Sequence, residues 1–383
     1  MLSNALPARV RDSARTPLLE RQLGRFADRY RRSVYQLAGR HPFLADLAAS
    51  FPALLFALAV PRHRFDPEPV IARAIAGAPL GRLCEAAEVA FWLRKLTPEA
   101  FVRPLPKLPD SADFRCRVAN LLPRSPRAAP AWVGAVADAA EACSERFALW
   151  VAREMAGNAK RVKLDRIQQV GLWAWFSGRP GTRGHALIDR PWEPSISPAT
   201  ALDAAHEWQT RVELHLDLGD APIADVWLRP CRVAGYDFVP LSSAMEILEE
   251  AAAMKNCVPK YGCALAHNRL RLWSVRKDGV RVATLEVARP FGEPLPNVVE
   301  LRAARNRAAG VEVWWAARQW LNAHDLPRIG MEQRPKGAVP FDHATWIALW
   351  RPYWLAKGRI PHWLPLSPSP AALRALAGRP GPR

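Results

Sequence analysis

The hydrophobic period changes partway along the chain, and that change limits the fold more than any other feature. Up to about Leu216 apolar residues recur at three- and four-residue spacing, as on a helix with one buried face. Leu18–Leu37 carries Phe26, Tyr30, Val34 and Leu37 in this way, and Ala131–Met155 carries Val133, Val136, Ala140, Cys143 and Phe147. Further helical patterns cover Pro69–Ile75, Leu83–Leu96, Ala112–Leu122, Lys163–Trp175 and Pro198–Leu216, with Pro and Gly clusters between them. From about Ala224 the pattern alternates. Val226–Arg229 and Tyr236–Val239 read as short strands, and Ser243-Ala-Met-Glu246 reads as a capping box opening a helix to about Met254. Leu270–Arg276 and Val280–Ala288 are β-rich runs split by Lys277-Asp278-Gly279, a hairpin signal. Asn297–Arg302 supplies a candidate third strand, and Gly310–Leu321 returns to helix.

These patterns predict an α+β fold. Residues 1–216 form a mostly helical region, residues 217–325 a small α+β domain with an antiparallel hairpin, and residues 326–383 a C-terminal segment. That segment begins with a Trp-rich helix, His343–Lys357, in which Pro352 is a point of kinking, and ends in a Pro-rich tail from Pro361. The apolar stretch Phe43–Val60 contains Asp46, Ser50 and Pro52, which fits one or two buried helices and not a membrane span. No apolar leader with a cleavage site is visible, and the Arg-rich stretch Arg9–Arg32 is interrupted by Asp12, Glu20 and Asp28. A cytoplasmic protein without membrane partners is expected.

The net charge is +18. Such a chain attracts polyanions, of which nucleic acid is the commonest, although part of the Arg excess accompanies a general richness in Ala, Arg and Pro. The six cysteines form no C-x-x-C pair and no Cys/His group with zinc spacing, so reduced thiols and no metal site are expected. Phosphate-loop, dinucleotide-binding, nucleophile-elbow and zinc-protease motifs are missing, and no cofactor is implied. Gly178-Arg-Pro-Gly-Thr-Arg-Gly184 lacks the Lys and the preceding strand of a phosphate loop. The sixteen tryptophans fit a core or a protein interface first and a base-stacking platform second, and Trp314, Trp315 and Trp320 are expected in a core.

One ordered set of residues stands out between Leu248 and Asn306. It comprises Glu250, Cys257-Val258 with Tyr261 four residues after the Cys, Ser274-x-Arg276 on one β-run, Thr284-x-Glu286 on the next, and Asn306 before a Trp-bearing helix. This order and spacing resemble the PcfJ-like family of bacterial conjugative and other mobile elements. The family pattern has Gly, His, Gln and Gly where this chain has Ala251, Asn256, Glu300 and Ala303. The resemblance spans about a fifth of the chain. It implies a mobile-element accessory protein and assigns no reaction.

Read by chemistry, the set admits two uses. Cys257, near Lys255, Lys260 and Tyr261, is either a thiol activated by cations or a small buried apolar residue, and Asn256 removes the nearest candidate base. Glu286 and Arg276 are either an acid/base pair or a structural ion pair. Glu250, Tyr261, Ser274, Thr284 and Asn306 are candidate binding residues around them. The hairpin decides between arrangements. A three-residue turn pairs Arg276 with Val280, puts Gly279 at positive φ, and gathers Ser274, Arg276, Thr284 and Glu286 on one face, whereas a two-residue turn slips the register and separates them. The three-residue turn is expected. The leading functional expectation is contact with nucleic acid, and the alternatives are an enzyme using Cys257 or the Arg276/Glu286 face and a protein-binding scaffold built on Trp-rich helices.

Overall fold

The computed structural model describes residues 17–158, 162–163, 166–289, 293, 295–329 and 343–358. Two compact units are present, Met1–Trp175 with Trp192–Leu202, and Phe176–Pro191 with Asp203–Arg383. Among the described residues no strand precedes Cys231, and all six strands form one antiparallel sheet. The fold is α+β with a helical N-terminal region. The tail from Pro361 lies outside the described residues.

The first unit consists of short helices around an apolar core. Three long apolar or helical patterns of its sequence are divided into shorter helices. Pro52, which has no N–H to give, opens a second helix, so Phe43–Val60 becomes Pro42–Ser50 and Pro52–Ala59, the latter buried on all sides. Ser144 accepts a hydrogen bond from the Phe147 amide at 3.3 Å, so Ala131–Met155 becomes Ala129–Ala142 and Glu145–Asn158, packed on each other. Leu18–Leu37 breaks at Gly24–Ala27 into Pro17–Leu23 and Asp28–Ala38.

In the second unit the strands are β1 (Cys231–Val233), β2 (Tyr236–Pro240), β3 (Leu270–Lys277), β4 (Val280–Ala288), β5 (Asn297–Ala303) and β6 (Arg307–Ala308), each paired with the next. The Val226–Arg229 segment is not a strand. Trp227 there takes φ 67°, which no ladder accommodates. One sheet face carries Phe238, Trp273, Val275, Ala283, Leu285, Val287 and Leu301, covered by the helix Val311–Asn322 through Val313, Ala316, Ala317, Trp320 and Leu321. Trp320 stacks on Phe238 with ring centres 4.6 Å apart. The other face packs Leu270 and Leu272 against Leu214, Ala244, Ile247 and Leu265 from three helices. The capping box is fully formed, since Ser243 accepts from the Glu246 amide and Glu246 accepts from the Ser243 amide at 3.0 Å, and it opens the helix Ala244–Met254. The Trp-rich helix His343–Lys357 continues through Pro352, with Trp346 and Trp350 buried.

The β3–β4 turn corrects the sequence reading. Lys277 pairs with Val280, so the loop has two residues, and Asp278 and Gly279 both take positive φ, 50° and 80°. This is the type I′ pattern, whose twist matches the flanking strands, and Asp is among the few residues that enter the left-handed region cheaply. A two-residue turn alone would separate Ser274 from Thr284. The ladder then shifts between Val275 and Arg276, since Arg276 pairs with Arg281 while Val275 pairs with Ala283. Val282 is the extra residue of this bulge, and Ser274 ends directly opposite Thr284. The bulge undoes the slip that the turn introduces, and the expected face survives by another route. A Cβ on Gly279 would meet nothing within 4 Å, so Gly279→Ala tests the backbone alone. It should cost about 1 kcal/mol in urea unfolding, and a cost near zero would contradict the positive φ.

Candidate functional site

The helix Ala244–Met254 lays Glu250 over β4. Glu250 is wholly buried, and both of its oxygens are used. Oε1 accepts the Thr284 hydroxyl at 2.8 Å and Oε2 accepts the Arg281 Nε–H at 2.9 Å. After the helix, Lys255 turns the chain at φ 51°, and the Asn256 amide donates to Thr284 Oγ1 at 2.9 Å. Asn256, Thr284, Glu250 and Arg281 therefore form one relay that pins helix, loop and strand together. Thr284 both donates and accepts, so a hydroxyl is needed at that position. Beside it, buried Ser274 accepts from Arg276 Nε at 3.1 Å.

The other half of the face opens to solvent. Asn256, Cys257 and Tyr261 from the loop, Thr284 and Glu286 from β4, Glu300 and Arg302 from β5, and Asn306 line a narrow cleft with Val258 and Leu272 at its base. Its water-accessible volume is about 20 Å³, room for roughly one water and not for a whole small-molecule substrate. Glu286 and Glu300 are direct cross-strand partners. The Tyr261 hydroxyl donates to Glu300 Oε2 at 3.3 Å, and Arg302 Nε donates to Glu300 Oε1 at 2.8 Å. Burial, followed by the neighbouring Glu300 charge, pushes the Glu286 carboxyl above its usual range, and the nearby Tyr261 hydroxyl partly offsets this. Burial and the charges of Glu286 and Glu300 push the Tyr261 phenol up to about 12.

Asn306 reaches the cleft through an unusual turn. Arg305 and Asn306 take consecutive positive φ values of 61° and 56° between β5 and β6. Asn tolerates that region and Arg less so. The turn brings the Asn306 amide to 3.9 Å from Cys257 Sγ. Cys257 is exposed, which is not the buried apolar cysteine considered above. The polar partner it receives is an amide, which takes no proton, and His267 is engaged with Cys263.

The structure thus places Glu250, Tyr261, Thr284, Glu286, Cys257 and Asn306 around one relay and cleft. It does not join Arg276 to Glu286. Arg276 faces Arg281, whereas Glu286 faces Leu272, four residues away along β3 or roughly 13 Å. Sequence reading missed Arg281, and it noted Asn256 and Glu300 only as departures from a family pattern. Both departures line the cleft and bond to residues that match the pattern, Thr284 and Tyr261. The cross-strand position of Glu300 follows from a second bulge between Glu286 and Val287, which no local sequence pattern announces.

Four exposed cations line this cleft or adjoin its lining residues, Lys255, Lys260, Arg302 and Arg305, and of these Arg302 is paired with Glu300. Arg307 pairs with Ala303 and so shares the side of Leu301, away from the cleft. Lys255, Lys260 and Arg305 each adjoin a cleft-lining residue in the chain, and Arg302 lines the cleft itself. Among the described residues no helix is long and apolar enough to cross a membrane, and no group of three or more His, Cys, Asp or Glu is placed to hold a metal ion. No family model, curated protein or solved structure matches the chain.

The raised Glu286 pKa has a pH signature. In the window between the usual carboxylate range and the higher folded value, the native state binds more protons than the unfolded one, so stability falls as pH rises through it. Glu286→Gln cannot ionise and escapes this loss. Its stability relative to the unaltered protein should therefore improve as pH rises above the usual carboxylate range in urea titrations. A relative stability that worsens over that rise would contradict the assignment.

Proposed function

We propose that this chain is a PcfJ-like, cytoplasmic accessory protein of mobile-element biology, and that it contacts nucleic acid on the cleft-bearing face of its second unit. The observation that carries the reading is the set of exposed cations, Lys255, Lys260, Arg302 and Arg305, that line the cleft or adjoin its lining residues. Two further points support it. The residues that carry the family resemblance, scattered between Glu250 and Asn306, gather on one face, and the chain as a whole is strongly basic. Lys and Arg at such a rim grip phosphates without reading sequence.

Neutralising phosphates releases counterions, so log affinity should fall with log salt at a slope of roughly −0.9 per phosphate contact. Replacing Lys260, Arg302 and Arg305 by Ala should flatten that slope by about three and weaken binding to all sequences alike. Replacing Arg29 and Arg32, exposed cations of the first unit, should leave it largely unchanged. Fluorescence anisotropy of labelled DNA and RNA over a salt series reads both. A slope indifferent to the rim variants would overturn the proposed face. No binding at low salt would overturn the nucleic-acid reading, and a co-purifying protein in place of nucleic acid would favour a scaffold.

A further inference from the structure

The helix Val311–Asn322 has a second face that the core does not use. Its inward side buries Val313, Ala316, Ala317, Trp320 and Leu321. The opposite stripe, at spacings of four, three and four residues, is Val311, Trp315, Arg318 and Asn322, all exposed. Val311 is 83 % exposed and Trp315 is 57 % exposed. Among the described residues Trp315 is the one exposed tryptophan, and its neighbours Trp314 and Trp320 are half-buried and buried. Core packing therefore does not account for a large indole at this position.

The surroundings of Trp315 are basic. Arg318 follows it by three residues on the same stripe. Arg305 and Arg307 lie immediately upstream, and β6 is the last strand of the sheet, so its outer side pairs with no further strand. Only Ala309 and Gly310 separate β6 from the helix, which puts the first turn of the stripe within roughly 11 Å of the strand end. Glu312 is the acidic neighbour, about a quarter turn to the side of the stripe.

We propose that Trp315 is a stacking platform for an unpaired base, so that the nucleic acid taken by this chain is single-stranded. Arg305, Arg307 and Arg318 hold the flanking phosphates. An indole face stacks on any base but reaches only bases that are not already stacked in a duplex, and basic side chains beside an aromatic one form the usual single-strand surface. This inference rests on the nucleic-acid reading above and adds a strand preference to it; because the helix Val311–Asn322 covers the sheet face opposite the cleft, the strand reaches Trp315 by passing round the β6 edge of the sheet.

The test is anisotropy of labelled oligo-dT and of a duplex of equal length with the full chain, Trp315→Ala and Trp315→Phe. Trp315 is exposed, and thermal unfolding checks that each variant folds. Trp315→Ala should weaken single-strand binding by roughly 5- to 150-fold, the usual worth of one stacked base. Trp315→Phe should restore much of it, and duplex binding and the salt slope should hardly move. Unchanged single-strand binding in Trp315→Ala, with binding still lost in the rim variants, would overturn this inference alone. Binding of neither strand form by the unaltered protein would overturn the nucleic-acid reading with it. Equal losses for single strand and duplex would show that Trp315 does not select unpaired bases.

Discussion

One extra residue in β4 determines which face of the sheet Thr284 and Glu286 occupy. A strand repeats its facing every two residues, so a shift of one exchanges the two faces. The Asp278-Gly279 turn sets the ladder in the register that would send Thr284 and Glu286 into the Trp273–Trp320 core and expose Ala283, Leu285 and Val287. Val282 cancels the shift before Thr284 is reached. Val282 and Ala283 both contact the same core although they are consecutive, as a bulge requires. Beyond that point Ser274, Thr284 and Glu286 share a face, and the helix carrying Glu250 has something to bind.

The face then divides into two electrostatic regimes. On the inner half each buried polar group meets a partner, and the Glu250 charge is answered by Arg281 and by the Thr284 hydroxyl. A buried carboxylate is tolerated only on such terms. On the outer half compensation is incomplete. Glu300 has Arg302 and Tyr261, while Glu286, beside it, is pushed toward its protonated form. The left-handed pair Arg305 and Asn306 sits at the edge of the same cleft. Backbone conformations of this cost persist where surrounding structure over-determines them, and they concentrate at functional positions. A tied-down inner half and an under-compensated, strained outer half, with exposed Lys255, Lys260 and Arg305 next in the chain to its lining residues, are the physical basis for placing function here.

Much of the fold was legible because it depends on local chemistry. The change of period placed the sheet, Ser243 and Glu246 announced a helix start, and Asp278-Gly279 located a turn. The failures share a cause. Bulges at Val282 and Val299 leave a β-rich sequence looking regular, so facing could not be read from spacing, and neither the relay through Arg281 nor the Glu286–Glu300 pair was visible. Helical spacing likewise continued across Ser144 and Pro52, where capping and a missing N–H ended the helices. Periodicity alone assigned Trp314, Trp315 and Trp320 to a core, whereas helix phase buries Trp320, half-buries Trp314 and turns Trp315 outward.

The account depends on Thr284 facing Glu250, which the bulge alone permits. A double-mutant cycle between Glu250→Ala and Thr284→Val, read by urea unfolding, measures that contact directly. The account predicts a coupling of about 1.5–3 kcal/mol, the worth of a hydrogen bond to a charged group. Additivity to within about 0.3 kcal/mol would place the two side chains apart and contradict it.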